Sequence, residues 1–135
     1  RLVRAAGLRV HIVSQFSFSP DAVVLWLKRL RACGIALPVK VGMAGPTSLT
    51  ALLRYAKRCG VSASLRGLAS GAGAGLIGNV GPDAILAALD VAPGIGEASP
   101  HYFSFGGVLQ TARYACDAAA GRIAVSHAMA QSNSN

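Results

Sequence analysis

A chain of 135 residues with 53% hydrophobic side chains and a mean hydropathy of +0.48 is long enough for one domain with its own core, and too apolar to be disordered as its main state. The formal net charge of +8 raises nucleic acid as a partner. However, eleven of the thirteen basic residues lie in the first 66 positions, mostly on the polar faces or last turns of predicted helices, and no RNP-type, helix-turn-helix or zinc-knuckle pattern accompanies them. The longest apolar runs are broken by Arg, Gly or Pro before they reach the length of a membrane helix, and no secretory signal is visible, so the expected location is cytoplasmic.

In chain order, Arg1 to Ala6 read as a helix end stopped by Gly7, and Arg9 to Ser14 as a short strand rich in β-branched Val10, Ile12 and Val13. Ser19 is a predicted N-cap, and Pro20 takes the first position of a helix running to about Cys33, where Gly34 ends it. Val23, Leu27 and Leu30 form its apolar stripe, with Val24 and Trp26 beside it. Leu37 to Val41 read as the next strand, Gly42 to Gly45 as its exit loop, and Pro46 as the start of a helix with Leu49, Leu52, Leu53 and Ala56 buried and Gly60 at its end.

Residues 62–68 read as a short helix or an irregular segment, and 68–81 as a glycine-rich stretch. Pro82 to Leu89 form a compact helix, Val91 to Pro100 a loop and His101 to Phe105 an aromatic strand. Gly106-Gly107 is a tight exit, and Val108 to Ala120 a helix ended by Gly121. Arg122 to Ser126 read as a final extended piece, within a domain spanning 1–125, and 126–135 as a polar, disordered tail. Strands each followed by a helix across short loops are the signature of parallel α/β structure. Three such units are too few to close a barrel and leave two sheet edges bare, and the first residue is Arg, so the chain reads as a piece of a longer protein.

The most informative segment for chemistry is Val13-Ser14-Gln15-Phe16-Ser17-Phe18. It puts an amide that both donates and accepts hydrogen bonds at the end of an apolar strand, where ligands of barrels and open parallel sheets sit. The competing role for Gln15 is to satisfy the backbone of its own loop. Gly71-Ala72-Gly73-Ala74-Gly75 lacks the feeding strand, the Lys-Ser/Thr and the later acid of a phosphate loop and reads as a linker. Gly106-Gly107, between strand and helix, is either an anion site or a tight packing turn.

Cys33, Cys59 and Cys116 have no metal spacing and read as reduced, buried or half-buried thiols. His11, inside one strand, His101, at the start of another, and His127 lack a second ligand nearby, so no metal is expected, and His101 reads as structural rather than as a general acid. No carboxylate pair or Gly-x-Ser-x-Gly elbow points to a hydrolase.

Together these segments resemble the C-terminal half of the methylenetetrahydrofolate reductase family. The stretches that carry the resemblance are Ala5-Ala6-Gly7, Ile12-Val13-Ser14-Gln15-Phe16-Ser17-Phe18, Leu37-Pro38-Val39-Lys40-Val41-Gly42, Gly45-Pro46-Thr47-Ser48-Leu49, Leu53 to Val61 and His101-Tyr102-Phe103-Ser104-Phe105. They run in register from about residue 5 to 120 and are closest to a bacterial branch with A-G-P-x-S-L and R-C-G-V-x-A-S-L-R. The resemblance implies about three βα units of a (βα)8 TIM barrel. The parent would be an NAD(P)H- and FAD-dependent oxidoreductase of one-carbon metabolism that converts 5,10-methylenetetrahydrofolate to 5-methyltetrahydrofolate. It implies that Gln15 hydrogen-bonds the pterin and that Tyr55 stands where the family keeps a phenylalanine against the folate; a plain packing role for Tyr55 fits the residues equally well.

The chain departs from the family at Ser19, where Asp is common, and at Ser104 to Gly107, where Y-T-L-N is common. The family's general acid and most of its FAD-holding residues lie in the earlier half, so no catalytic residue and no tight FAD or nicotinamide binding is expected here. The alternative is a non-catalytic half-barrel that binds or assembles, dimerising through its exposed sheet edges.

Overall fold

The computed structural model describes residues 7–48, 50–52, 54–55 and 79–123. The expected helix end before Gly7, the helix-stripe residues Leu49, Leu53 and Ala56, Cys59, segment 62–68, the 71–75 run, His127 and the 126–135 tail lie outside the described residues. The fold is α/β. Strands β1 (Ile12–Ser17), β2 (Val39–Ala44) and β5 (Ala98–Phe103) form a parallel sheet in the order β1-β2-β5. A two-residue antiparallel pair joins β3 (Thr47–Ser48) to β4 (Asn79–Val80). Helices α1 (Pro20–Ala32), α2 (Asp83–Val91) and α3 (Val108–Ala119) complete the described elements.

Helix α1 follows its sequence signals closely. The Ser19 hydroxyl accepts from the Ala22 amide, Pro20 opens the first turn, Cys33 caps the end, and Gly34 turns the chain away at a φ of 75° that a side chain would resist. Val23 and Leu27 reach the core, with Val24, Trp26 and Leu30 partly buried around them. On β2, the odd-numbered Val39, Val41 and Met43 point to the same side and meet Val23 and Leu27 of α1 and Ile85 of α2. Each fully buried Val, Leu or Met contributes roughly 1.5–3 kcal/mol of hydrophobic stabilisation. Tyr102 on β5 packs against the same core, and its ring meets Tyr114 of α3 at a centroid distance of 5.9 Å. All three helices therefore lie against one face of the sheet.

Arg31 fixes the amino-terminal end of the sheet. Its Nε donates to the Ile95 carbonyl at 2.7 Å, one terminal nitrogen donates to the carbonyls of Ile35 and Leu37, and the other to that of Glu97. The guanidinium fork thereby ties the loop entering β2 to the loop entering β5, a geometry that lysine does not reproduce.

Strand boundaries moved relative to the sequence reading. β1 starts at Ile12, so His11 precedes it, and it continues to Ser17, because the Ile12 amide pairs with the Pro38 carbonyl and the ladder resumes beyond an irregularity. β2 takes in Gly42, expected in a loop. Pro46 does not open a helix: Thr47 and Ser48 pair with β4, and helical residues follow at 50–52 and 54–55, where the Ser48 hydroxyl accepts from the Ala51 amide. β5 begins three residues before His101 and ends at Phe103. Helix α2 extends to Val91, and α3 ends at Ala119. Arg122 and Ile123 do not begin a strand. Cys33 and Cys116 are free and exposed rather than buried, because Cys33 caps α1 at the surface and Cys116 lies on the exposed side of α3. Among the described residues no helix is long and apolar enough to cross a membrane.

The irregularity in β1 is a bulge. Val13 pairs with Lys40 and Phe16 with Gly42, so Ser14 and Gln15 together face the single residue Val41. The Gly42 amide donates to the Ser14 hydroxyl at 2.8 Å, and that hydroxyl donates to the Gln15 carbonyl at 2.9 Å. A Cβ at Gly42 would lie 2.6 Å from the carbonyl oxygens of both Ser14 and Gln15. Gly42→Ala is therefore expected to destabilise the fold by about 1–3 kcal/mol, read as a lower urea midpoint at unchanged slope; an unchanged midpoint would contradict this packing.

Tyr114 generates a second expectation. Its hydroxyl donates to Asp83 at 2.7 Å. Burial first, then that bond and the Asp83 charge, raise its pKa well above the ordinary 10.0. A folded-state pKa above the unfolded one stabilises the fold below pH 10 and loses that contribution as pH rises toward the folded value. Thermal melts across alkaline pH are expected to show a steeper loss of stability for the native chain than for Tyr114→Phe; parallel curves would contradict it.

Candidate functional site

The carboxyl ends of the three parallel strands carry a cluster of rings. The Phe16 side chain is 5% exposed and packs edge-on against Phe18 at 5.6 Å, Phe103 at 5.6 Å and Phe105 at 5.0 Å. Phe103 and Phe105 stack at 5.9 Å, the Tyr55 ring lies 5.1 Å from Phe105, and His101 meets Phe103 edge-on at 5.1 Å. Aromatic pairs of this kind contribute about 0.5–1.5 kcal/mol each beyond the area they bury.

Strand register explains why the rings converge. Phe16, Gly42 and His101 form one row across the sheet, and Ala44 and Phe103 pair one step further on. These positions alternate with the core-facing Val41 and Met43, so they lie on the face opposite the helices. Without the bulge, Phe16 would have the parity of Ile12, toward the helices. The extra residue in β1 turns it to the other face, where Gly42 leaves room beside it.

Gln15 sits in the bulge itself, exposed, and its Oε1 accepts from the Phe16 amide at 3.1 Å. The acceptor half of the amide thus satisfies the local backbone, the competing role weighed from sequence, and the amide nitrogen takes no part in that bond. Tyr55 is 41% exposed on the other side of Phe105. The two residues named from sequence are each next to this cluster, Gln15 as the chain neighbour of Phe16 and Tyr55 through the Phe105 ring.

The ring-bearing face of the sheet carries no carboxylate. The chain has five carboxylates. Asp21 is on α1, Asp83 and Asp90 are on α2, Asp117 is on α3 and paired with Arg122, and Glu97 precedes β5 at the amino end of the sheet. Lys40, by contrast, alternates to the face opposite the helices. The site presents planar rings, with an amide side chain at Gln15 next to Phe16, and no carboxylate on the same face of the sheet. His101 lies within β5, exposed, with a ring partner rather than an acid beside it. Among the described residues no three His, Cys, Asp or Glu side chains converge on a metal position.

The Gly106-Gly107 turn is the close-packing form. A Cβ on Gly106 would run into the Pro46 carbonyl oxygen and approach Gln110 Oε1 at 3.2 Å. Two acceptor oxygens at the turn oppose a bound phosphate. Sequence reasoning named Phe18, Phe103 and Phe105 without assigning them to a site. The signal was present, since Phe-Ser-Phe occurs at 16–18 and again at 103–105, at the ends of two strands of one sheet. Models of known protein families, compared with this chain, give no match.

Thr47, in β3, is 2% exposed, and its Oγ1 has no hydrogen-bond partner among the described residues. Burying an unpaired hydroxyl costs about 1–3 kcal/mol. Thr47→Val keeps the shape and removes that cost, so its melting temperature is expected to rise; a fall would show that the hydroxyl is satisfied.

Proposed function

We propose that this chain is the last three βα units of a (βα)8 barrel from a methylenetetrahydrofolate reductase-like flavoenzyme, and that it contributes part of the folate pocket. The observation that carries the reading is Gln15 standing in a bulge next to Phe16, the central ring of an aromatic cluster at the carboxyl ends of parallel strands. The sheet order supports the barrel: β1-β2-β5 runs in one direction with the helices against one face, whereas a doubly wound sheet reverses order and carries helices on both.

In this reading the rings of Phe16, Phe105 and Tyr55 hold the faces of a pterin and exclude water from it, and the Gln15 amide nitrogen donates to its edge and sets its orientation. FAD would supply hydride transfer in the complete enzyme. The glycine turn at Gly106, between β5 and α3, does not fit its pyrophosphate, because the Pro46 carbonyl oxygen and Gln110 Oε1 stand against it. No flavin step is assigned to this chain, and with no carboxylate on the ring-bearing face of the sheet, protonation is not assigned to it either. The role left to it is to bind and orient.

The second reading, a half-barrel that assembles through its sheet edges, is favoured by Val13, 47% exposed on the edge strand β1, and by edges on β1 and β5 that have no partner among the described residues.

Isothermal titration of the chain with tetrahydrofolate, beside Gln15→Ala, tests the first reading. Affinity is expected to fall at least about tenfold in the variant, about 1.4 kcal/mol. Equal affinity, or no binding by either protein, would remove the pocket from this chain.

A further inference from the structure

On the outer surface, away from the ring cluster, α1 and α2 flank an open groove lined by Val24, Leu25, Val91 and Ala92. Leu25 is 50% exposed and Val91 65%. The core does not account for them: α1 already buries Val23 and Leu27, and α2 buries Ile85. The two charged residues lining the groove are Asp21 and Lys28, both exposed on α1 and in no ion pair among the described residues.

Their spacing is self-complementary. Asp21 and Lys28 are two turns apart on one helix face, about 10.5 Å along the axis, with Val24 and Leu25 midway between them. A two-fold axis through that midpoint, with two α1 helices antiparallel, brings each Asp21 to Lys28 of the partner subunit and each Leu25 beside its own copy. That reciprocity is what an isologous interface requires.

We propose that this groove is a self-association surface whose occupant is a second copy of the chain. The surface is distinct from the sheet edges and independent of the folate reading. The net charge of +8 opposes association at long range, but this repulsion is screened within about 8 Å at physiological salt, so the local opposite-charge contacts decide. The patch is small, which makes the dimer a weak one.

Sedimentation equilibrium of the full chain, at micromolar to submillimolar concentration, tests it. The native chain is expected to dimerise. Asp21→Lys alone and Lys28→Glu alone each place like charges together and are expected to weaken the dimer at least tenfold. Asp21→Lys combined with Lys28→Glu restores opposite pairing and is expected to restore the dimer. Circular dichroism checks that each variant is folded. Should a reversal unfold the chain, Leu25→Glu is read instead, with loss of the dimer expected. A native chain that stays monomeric, a dimer that survives the single reversals or Leu25→Glu, or a double variant that stays as weak as the single ones overturns the proposal. A monomer that nonetheless captures a helical peptide of another protein in this groove overturns it too.

Discussion

The rest of the site depends on one close contact, between the Gly42 α-carbon and the carbonyls of Ser14 and Gln15. A regular β1 would place one residue opposite Val41; this strand places two. The extra backbone has to go somewhere, and only a residue without a Cβ leaves space for it. The Ser14 hydroxyl then takes the Gly42 amide, so the bulge does not leave that donor orphaned. Everything after the bulge is turned by one position: Phe16 leaves the helix side and reaches the rings of Phe103 and Phe105.

Chemistry is divided by the sheet. On one side an aliphatic core of Val23, Leu27, Val39, Val41, Met43 and Ile85 holds α1 and α2 in place, and every carboxylate of the chain lies in that helix layer or at the amino end of β5. On the other side lie rings, a glycine, Lys40 and an exposed histidine. Such a surface recognises planar groups by stacking and edge contact and brings no acid of its own. Binding and orientation are accordingly the roles proposed for this chain.

How much of this was legible in the sequence depended on whether the deciding contact was local. Helix α1 was read to within a residue, because Ser19, Pro20 and Gly34 act on backbone beside them. The strand ends were misplaced by two or three residues because pairing decides them. Gly42 was read as a loop glycine, since nothing near it in sequence announces the carbonyls that arrive from β1. Pro46 was read as a helix start, since the partner of Thr47 and Ser48 is Asn79–Val80, more than thirty positions away. Gln15 and Tyr55 were singled out, but the ring cluster that joins their surroundings combines two Phe-Ser-Phe segments far apart in the chain, visible as a repeat and not as a contact. Arg31 carries no local signal of its role, because its four carbonyl acceptors come from two loops that only the fold brings together.

The most direct test of the central claim, that the strand ends form a ring-binding mouth shaped by the bulge, is an aromatic side-chain NMR titration with tetrahydrofolate. The resonances of Phe16, Phe105 and Tyr55 are expected to shift together and saturably, while Trp26, which packs against the core on the helix side, stays fixed. Shifts confined to Trp26 and the helix layer, or none at the three rings, would contradict the account.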